Sequence, residues 1–419
     1  MCGDGMTQQH RLRILLLSRR SAPATGGVES YLRHVSRGLA VRNDVTLLTQ
    51  RIDEGRTGRL TDSLRPPSTF APFDDSGVEV VPLRFTRAER VRMVPTIGQV
   101  VPGMRRYAYG RLRIPMAMSC ARVVGPIIAR QAAEADVIHV WGDGFLALAG
   151  IRAGAQTDVP VLITPFVHRG QWGDDPASVR AYRRADRMIG LLEYDCQVLR
   201  DLGVACGRVA ECPVCSPGVE RGSGKAWRQK YSVEGPLVVF LGVRRPYKGF
   251  DVLLAALPEF GRQMPSATVV FAGPGVAIAG EHAVRVIDRG LVSEQERAAL
   301  LEAADVLCLP SAGEIFPVTL LEAWSAGTAV LTSDIPPLAE LMRRSGGGIA
   351  VAREPEAIAA GLVTILSGRQ RELGTAGQSY WRSNATVEAV VERHLNLYRN
   401  VIAERALRRG SERAIDRRP

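Results

Sequence analysis

Two carboxylates, Glu314 and Glu322, stand eight residues apart in the stretch Pro310-Ser311-Ala312-Gly313-Glu314-Ile315-Phe316-Pro317-Val318-Thr319-Leu320-Leu321-Glu322-Ala323. Before them, Asp305-Val306-Leu307-Cys308-Leu309 is a short apolar run that ends at a proline, the pattern of a buried strand. After them, Phe316, Leu320, Leu321 and Trp324 recur at helical spacing, with Pro317 as a first-turn proline. Glu314 therefore belongs on a strand-to-helix loop and Glu322 in the second helical turn. The unpaired N–H groups at such a helix start form a positive pole suited to phosphate. Carboxylates accept hydrogen bonds from paired hydroxyls, as on a sugar ring or a ribose. A phosphate seat flanked by two hydroxyl acceptors is the chemistry of a nucleotide-sugar site. The plainer alternative is a pair of acids that only steadies the helix dipole.

Further groups point to the same chemistry. The loop Gly242-Val243-Arg244-Arg245-Pro246-Tyr247-Lys248-Gly249 follows an apolar run and precedes a helix with Phe250, Leu253, Leu254 and Leu257 on one side. Cations on a strand-to-helix loop sit where a pyrophosphate would lie. There they would hold the negative charge that grows on a departing diphosphate. The chain has 51 arginines and only three lysines, Lys225, Lys230 and Lys248. In so arginine-biased a chain, a retained lysine suggests a need for a compact ammonium rather than a planar fork. Lys225 and Lys230 lie in a polar stretch and read as solvated. Gly273, in Ala272-Gly273-Pro274-Gly275, permits close backbone approach at a strand end, or a simple turn. Gly26-Gly27-Val28-Glu29 opens an amphipathic helix and offers backbone donors. His168 follows a strand's carboxyl end, within reach of a sugar, whereas His139 inside Val137-Ile138-His139-Val140-Trp141 reads as a satisfied core histidine.

The elements that must carry these groups alternate strand and helix through both halves. Strands are expected at 13–18, 44–49, 78–82, 136–140, 159–164 and 187–191, then at 237–241, 268–272, 284–287, 306–309, 329–332 and 349–351. Such alternation implies parallel sheets covered on both faces, with ligands at the carboxyl ends of the strands. The Pro- and Gly-rich run Pro213-Val214-Cys215-Ser216-Pro217-Gly218-Val219-Glu220 marks a linker. The expected domains are 11–217 and 218–385, followed by a C-terminal helix at 386–404 and a frayed basic tail.

Composition bounds the rest. At 419 residues and 46% hydrophobic content the chain can fill two large cores. No apolar run is long enough to span a bilayer, and His10-Arg11-Leu12-Arg13 interrupts any signal core. A cytoplasmic protein is expected, one option being the inner face of the membrane. Seven cysteines suggest reduced thiols. Cys212-Pro213-Val214-Cys215 lacks the second pair or clustered histidines of a zinc site. No aspartate-rich metal motif is present, so neither a metal nor a prosthetic group is expected. The +11 charge follows the arginine bias, and no basic-aromatic nucleic-acid motif accompanies it.

From Arg13 to about Tyr398 the chain resembles the retaining GT-B glycosyltransferases of family 4. The likeness rests on Gly26-Gly27-Val28-Glu29, Pro217-Gly218-Val219-Glu220, Lys248-Gly249, Glu314 with Glu322, and Ala323-Trp324-Ser325-Ala326-Gly327-Thr328-Ala329-Val330. The resemblance implies an α/β GT-B fold, two facing Rossmann-like doubly wound domains with an interdomain cleft. The N-terminal domain would bind the acceptor, the C-terminal domain the nucleotide sugar, and the last helix, about 387–401, would cross back to the first. It implies a hexosyltransferase-type enzyme that moves a sugar from a nucleotide diphosphate sugar, UDP- or GDP-linked, to an acceptor hydroxyl with retention. Glu322 would bind the ribose hydroxyls and Glu314 the donor sugar. Ile315, Phe316, Val318 and Thr319 would offer backbone donors. Lys248 and one of Arg244 and Arg245 would stabilise the leaving diphosphate. His168 would lie beside the anomeric centre, Gly27 near diphosphate and acceptor, Gly273 at the donor, and the base near 286–290. Two departures stand out: Val243 occupies the position where the family usually has its arginine, and Pro317 removes an N–H donor.

A nucleotide-sugar epimerase and a non-catalytic nucleotide-sugar-binding subunit are the alternatives. A pyridoxal-phosphate phosphorylase is disfavoured, because no lysine follows Lys248 to form the Schiff base. Acceptor identity is open between small-molecule, glycan and lipid-linked hydroxyls. Residues 84–130 mix arginines such as Arg84, Arg105 and Arg113 with Met104, Tyr107 and Ile114. This segment suits either an anionic membrane surface or an acceptor loop packed on the first domain.

Overall fold

The computed structural model describes residues 11–24, 26–53, 70–92, 113–219 and 223–415. Within them the chain divides into two compact units. One comprises Met1–Gly190, Cys196–Cys212 and Val391–Pro419, the other Leu191–Asp195 and Pro213–Val390.

The first unit is built on β1 (Arg13–Arg20), β2 (Asp44–Arg51), β3 (Phe73–Asp74), β4 (Val78–Pro82), β5 (Val137–Trp141), β6 (Val161–Thr164), β7 (Arg187–Gly190) and β8 (Val209–Glu211). They form one sheet in the order β3-β4-β2-β1-β5-β6-β7-β8, parallel except for β3 against β4. The central strands are near-continuous apolar runs because both faces are covered; Ile14, Leu15, Leu16 and Leu17 are all buried. The strand order reverses between β1 and β5, which opens a crevice at their carboxyl ends. Part of the arginine-rich stretch is core: the helix Arg113–Ala132 buries Ala117, Cys120, Ala121, Val124 and Ile128 against Phe145 and Ala149. Residues 93–112 of that stretch, with Met104, Arg105 and Tyr107, lie outside the described residues.

The C-terminal helix Val387–Ile415 ties into this unit from Val391 onward. Buried His139 on β5 shares hydrogen bonds with Tyr398 Oη (2.7 Å) and Thr164 Oγ1 (2.9 Å). His394 stacks on Trp141, and its Nδ1 lies 3.3 Å from Cys212 Sγ. Burial holds the His139 imidazole well below its ordinary pKa, helped by His394, and pushes the Cys212 thiol up to about 12. His139 is the core histidine its strand position predicts. The helix does not fray after Glu404. Arg405 bonds to Asp158 (2.9 Å) and Asp186 (3.3 Å), and these ion pairs carry it on to Ile415.

The second unit has β9 (Leu237–Leu241), β10 (Thr268–Ala272), β11 (Arg285–Gly290), β12 (Val306–Leu309), β13 (Ala329–Ser333) and β14 (Gly348–Val351). The order is β11-β10-β9-β12-β13-β14, and every pair is parallel. Its reversal falls between β9 and β12, the two strands whose following loops carry Lys248 and Glu314. The short strands β3 and β8 lack any apolar run, and the sequence pattern does not announce them.

Candidate functional site

In the second unit, β9 runs into Gly242–Gly249 and then the helix Phe250–Gln263. Beside it, β12 runs into Pro310–Pro317 and then the helix Val318–Ala326. Parallel pairing of β9 with β12 forces the two loops together. Ala312 N donates to Tyr247 O (2.7 Å), and the Ser311 hydroxyl reaches Lys248 O (3.4 Å). Gly249 sits at φ +80°, and a Cβ there would come within 2.0 Å of Pro310 O, so only glycine permits this approach. Arg353 staples the pair, donating from Nε to Pro310 O (3.0 Å) and from Nη2 to Pro246 O (2.6 Å).

Between the loops, Lys248 Nζ donates to Glu314 Oε1 at 2.5 Å, and Ser311 Oγ donates to the same oxygen at 2.8 Å. Lys248 also lies 5.3 Å from the exposed Tyr247 ring. The expected cation and the first expected carboxylate thus meet in one ion pair between the two loops. Ile315, Val318 and Thr319 are half-buried around the helix start and Phe316 is buried. Pro317 is the cap residue, so the helix begins one position later than its first-turn placement predicts, and Val318 and Thr319 supply the first free N–H groups.

Glu322 is on the second turn and only 6% exposed. Its Oε1 pairs with Arg297 Nη1 at 2.8 Å, and among the described residues its buried Oε2 has no hydrogen-bond partner. Burial raises the Glu322 carboxyl above its ordinary pKa; Arg297 opposes the rise and Glu294 adds to it.

Arg244 is placed otherwise than a diphosphate ligand requires. It is buried, and its guanidinium grips Asp288 with both terminal nitrogens, one at 2.7 Å, while also donating to Phe271 O and Val276 O. The hydrogen bonds from Arg244 hold the Asp288 carboxyl down at about 2, with Ile278 N and Gly290 N assisting. Arg244 is therefore a structural clamp between the β9, β10 and β11 ends, and the arginine left exposed on the loop is Arg245. Gly273, at φ +126°, is glycine because a Cβ would meet Gly242 O at 2.0 Å, so a strand-end contact suffices to explain it.

In the first unit, the carboxyl ends of β1, β5 and β6 surround a cavity of about 500 Å3. Arg19, Trp141, Phe145, Phe166 and Trp172 give it an aromatic wall with cations at the rim. Arg19 pairs with Asp143 (3.1 Å) and Arg20 with Glu29 (2.5 Å). Gly26 precedes the helix Gly27–Ala40, and a Cβ on Gly26 would strike the Glu29 carboxylate at 2.1 Å. Gly27 is exposed, with open space where a side chain would project. His168 follows β6, half-buried, its ring 3.8 Å from the Trp172 ring. Ser311, Asp288, Arg297 and Arg353 are the site residues that sequence reasoning misses. Asp288, Arg297 and Arg353 act on partners distant in the chain, and Ser311, which lies within a recognisable motif, joins nearby Glu314 to distant Lys248.

Two doubly wound α/β sheets of mostly parallel strands, each with a strand-order reversal, are the architecture of the GT-B class. Anabaena HepE, solved in complex with UDP and glucose, has the same fold, with a TM-score of 0.65 at 15% identity over 93% of this chain and 100% of that one. The description "Glycosyl transferase 4-like domain" matches residues 26–215, and "Glycosyl transferases group 1" matches residues 235–368. The chain belongs to the group 1, family 4 glycosyltransferases. It is 33% identical over 174 residues to the phosphatidyl-myo-inositol mannosyltransferase of Mycobacterium tuberculosis, a match spanning 38% of this chain and 46% of the mannosyltransferase. It is 24% identical over 416 residues to the glycogen synthase of the same organism, covering 91% and 94% of the two chains. Among the described residues no helix is long and apolar enough to cross a membrane.

Proposed function

We propose that this chain transfers a hexosyl group from a nucleotide diphosphate sugar to an acceptor hydroxyl, with retention at the anomeric carbon. The observation that carries this reading is the grouping at the β9 and β12 ends: Lys248 against Glu314, beside a helix start whose second turn holds Glu322 with a bare, buried oxygen. A buried acceptor without a donor costs about 1–3 kcal/mol, more when charged, and is retained where a ligand completes it. Glu322 binds the ribose hydroxyls, and Glu314 binds the donor sugar. Lys248 and exposed Arg245 neutralise the diphosphate, with N–H groups of Val318 and Thr319 adding donors.

The acceptor occupies the aromatic cavity of the first unit, with His168 and Gly27 toward the reacting sugar. Its hydroxyl attacks the anomeric carbon from the face the diphosphate leaves, and its proton passes to the leaving phosphate oxygen. The C–O bond to phosphate breaks as the new glycosidic bond forms, which preserves configuration. The lysine and arginine charges perform the electrostatic work with no metal or prosthetic group. HepE bound to UDP and glucose supports a UDP-type donor. The similarity to a phosphatidyl-myo-inositol mannosyltransferase supports a lipid-linked acceptor as the alternative to a small molecule or glycan.

The test is a thermal-shift screen with UDP-, GDP- and ADP-sugars, followed by an acceptor screen with the best donor and NMR assignment of the product anomer. Retained configuration in a new glycoside supports the reading. Conversion of donor alone, without acceptor, would instead identify an epimerase, and an inverted product would exclude front-face transfer.

A further inference from the structure

The carboxylate assigned to the ribose does not stand alone. Glu322 is anchored on Oε1 by Arg297 Nη1 at 2.8 Å, while Oε2 stays buried with no hydrogen-bond partner among the described residues. Arg297 comes from another element, the helix Glu294–Ala303, which Ser293 caps by accepting from Glu296 N at 3.1 Å. The charged groups facing Glu322 are Arg297, in contact, and Glu294 on the same helix; the first and last turns of Glu322's own helix carry none. An ionised carboxylate offers only acceptors, which is what a vicinal diol needs, whereas a protonated carboxyl presents an O–H and loses acceptor capacity.

Resting on the assignment of Glu322 to the ribose, we propose that Arg297 is a positioning residue that keeps Glu322 ionised and oriented, with Oε2 left as the acceptor for the ribose diol. Arg297 touches neither donor nor acceptor in this role. It acts through Glu322, by holding one oxygen so that the other stays available. Burial and Glu294 both favour a proton on this carboxyl, and Arg297 opposes them. Without Arg297 the proton is held to higher pH, so ribose recognition would weaken toward the acid side and strengthen as the pH rises.

The experiment is calorimetric titration of the full chain with UDP, GDP and ADP from pH 6 to 9, then with the 2′-deoxy analogue of the nucleotide that binds best. The proteins are wild type, Arg297→Met, Arg297→Lys and Glu322→Gln, each checked for native unfolding behaviour. The expected result is that Arg297→Met binds the ribonucleotide about tenfold more weakly than wild type at pH 6, the size of one lost hydrogen bond to a charged group. That deficit narrows as the pH rises toward 9, and its affinity for the deoxy analogue stays flat. Arg297→Lys keeps most of the wild-type profile. Glu322→Gln binds ribo- and deoxynucleotide alike at every pH.

If Glu322→Gln loses that discrimination while Arg297→Met and Arg297→Lys both match wild type in affinity and pH profile, the positioning role is overturned and the ribose site survives. Where Glu322→Gln still discriminates as wild type does, or where none of the three nucleotides binds, the ribose assignment itself fails and takes this inference with it. A pH-independent loss of all binding in Arg297→Met, with no rescue by lysine, assigns Arg297 a purely structural part and also overturns the proposal.

Discussion

Replacing Lys248 by methionine removes the ammonium while keeping a side chain of similar length. Lys248 Nζ is 2.5 Å from Glu314 Oε1, with the lysine side chain 20% and the glutamate 9% exposed, so the pair is mostly withdrawn from water. Two costs follow, and they are read separately. For stability, losing one partner of a fully buried ion pair costs about 3–5 kcal/mol. Here Ser311 Oγ still donates to the orphaned oxygen at 2.8 Å and part of the lysine is solvated, so about 1–3 kcal/mol is expected. For catalysis, removing one preorganised group from the developing charge costs about 2.7–4 kcal/mol, or 10²–10³ in kcat. Exposed Arg245 shares the diphosphate in the proposed site, so the lower end of that range is expected. Lys248→Arg should not restore activity, because a planar guanidinium cannot repeat the point contact that the ammonium makes with Glu314 Oε1 beside Ser311 Oγ. The assay is nucleotide release under saturating donor and acceptor, with a urea unfolding curve on the same preparation. Folded Lys248→Met with kcat within twofold of wild type would refute the leaving-group role. A loss confined to KM would reassign Lys248 to uniform binding of the donor.

Other perturbations have defined outcomes. Arg244→Met should destabilise the second unit by about 3 kcal/mol, the low end for a broken buried pair, since Asp288 keeps its bonds from Ile278 N and Gly290 N. The Asp288 carboxyl is held below its unfolded value, so its stabilisation is complete above about pH 4 and lost as pH falls toward about 2; acid unfolding curves of the variant should lack that component. His139 is held neutral below its unfolded pKa, so stability is full above about pH 6.5 and declines below it by up to about 1.4 kcal/mol per pH unit, measurable as urea midpoints from pH 8 to 5. Tyr398→Phe removes one of the two partners of His139 and should cost about 1–3 kcal/mol in the same experiment. Gly249→Ala must move the Pro310 carbonyl, and is expected to cost about 1–3 kcal/mol of stability and to lower kcat by displacing Lys248; an unchanged melting temperature and rate would contradict the close approach.

Much of this was legible in the chain itself. Apolar runs at β9, β10 and β12 announce buried parallel strands, and the bounds at Leu237–Leu241, Thr268–Ala272 and Val306–Leu309 match the sequence reading residue for residue. The grouping of Lys248 with Glu314 was also foreseeable, because each lies on the loop after a strand and ligand loops gather at the carboxyl edge. Arg244 shows where such reading stops. Adjacent arginines on one loop are indistinguishable in sequence, yet one turns inward to Asp288 on β11 and the other stays in solvent.

Strand-helix alternation, the two cores and the candidate loops are readable along the chain, because periodicity and turn residues are local properties. Which charges are already committed emerges only in three dimensions: Arg244 to Asp288, Arg297 to Glu322, Arg405 to Asp158 and Asp186, His139 to Tyr398. The reason is physical. A buried charge or polar group must find a partner, and that partner is chosen by proximity in space after the sheets have formed, at separations along the chain that no local pattern encodes.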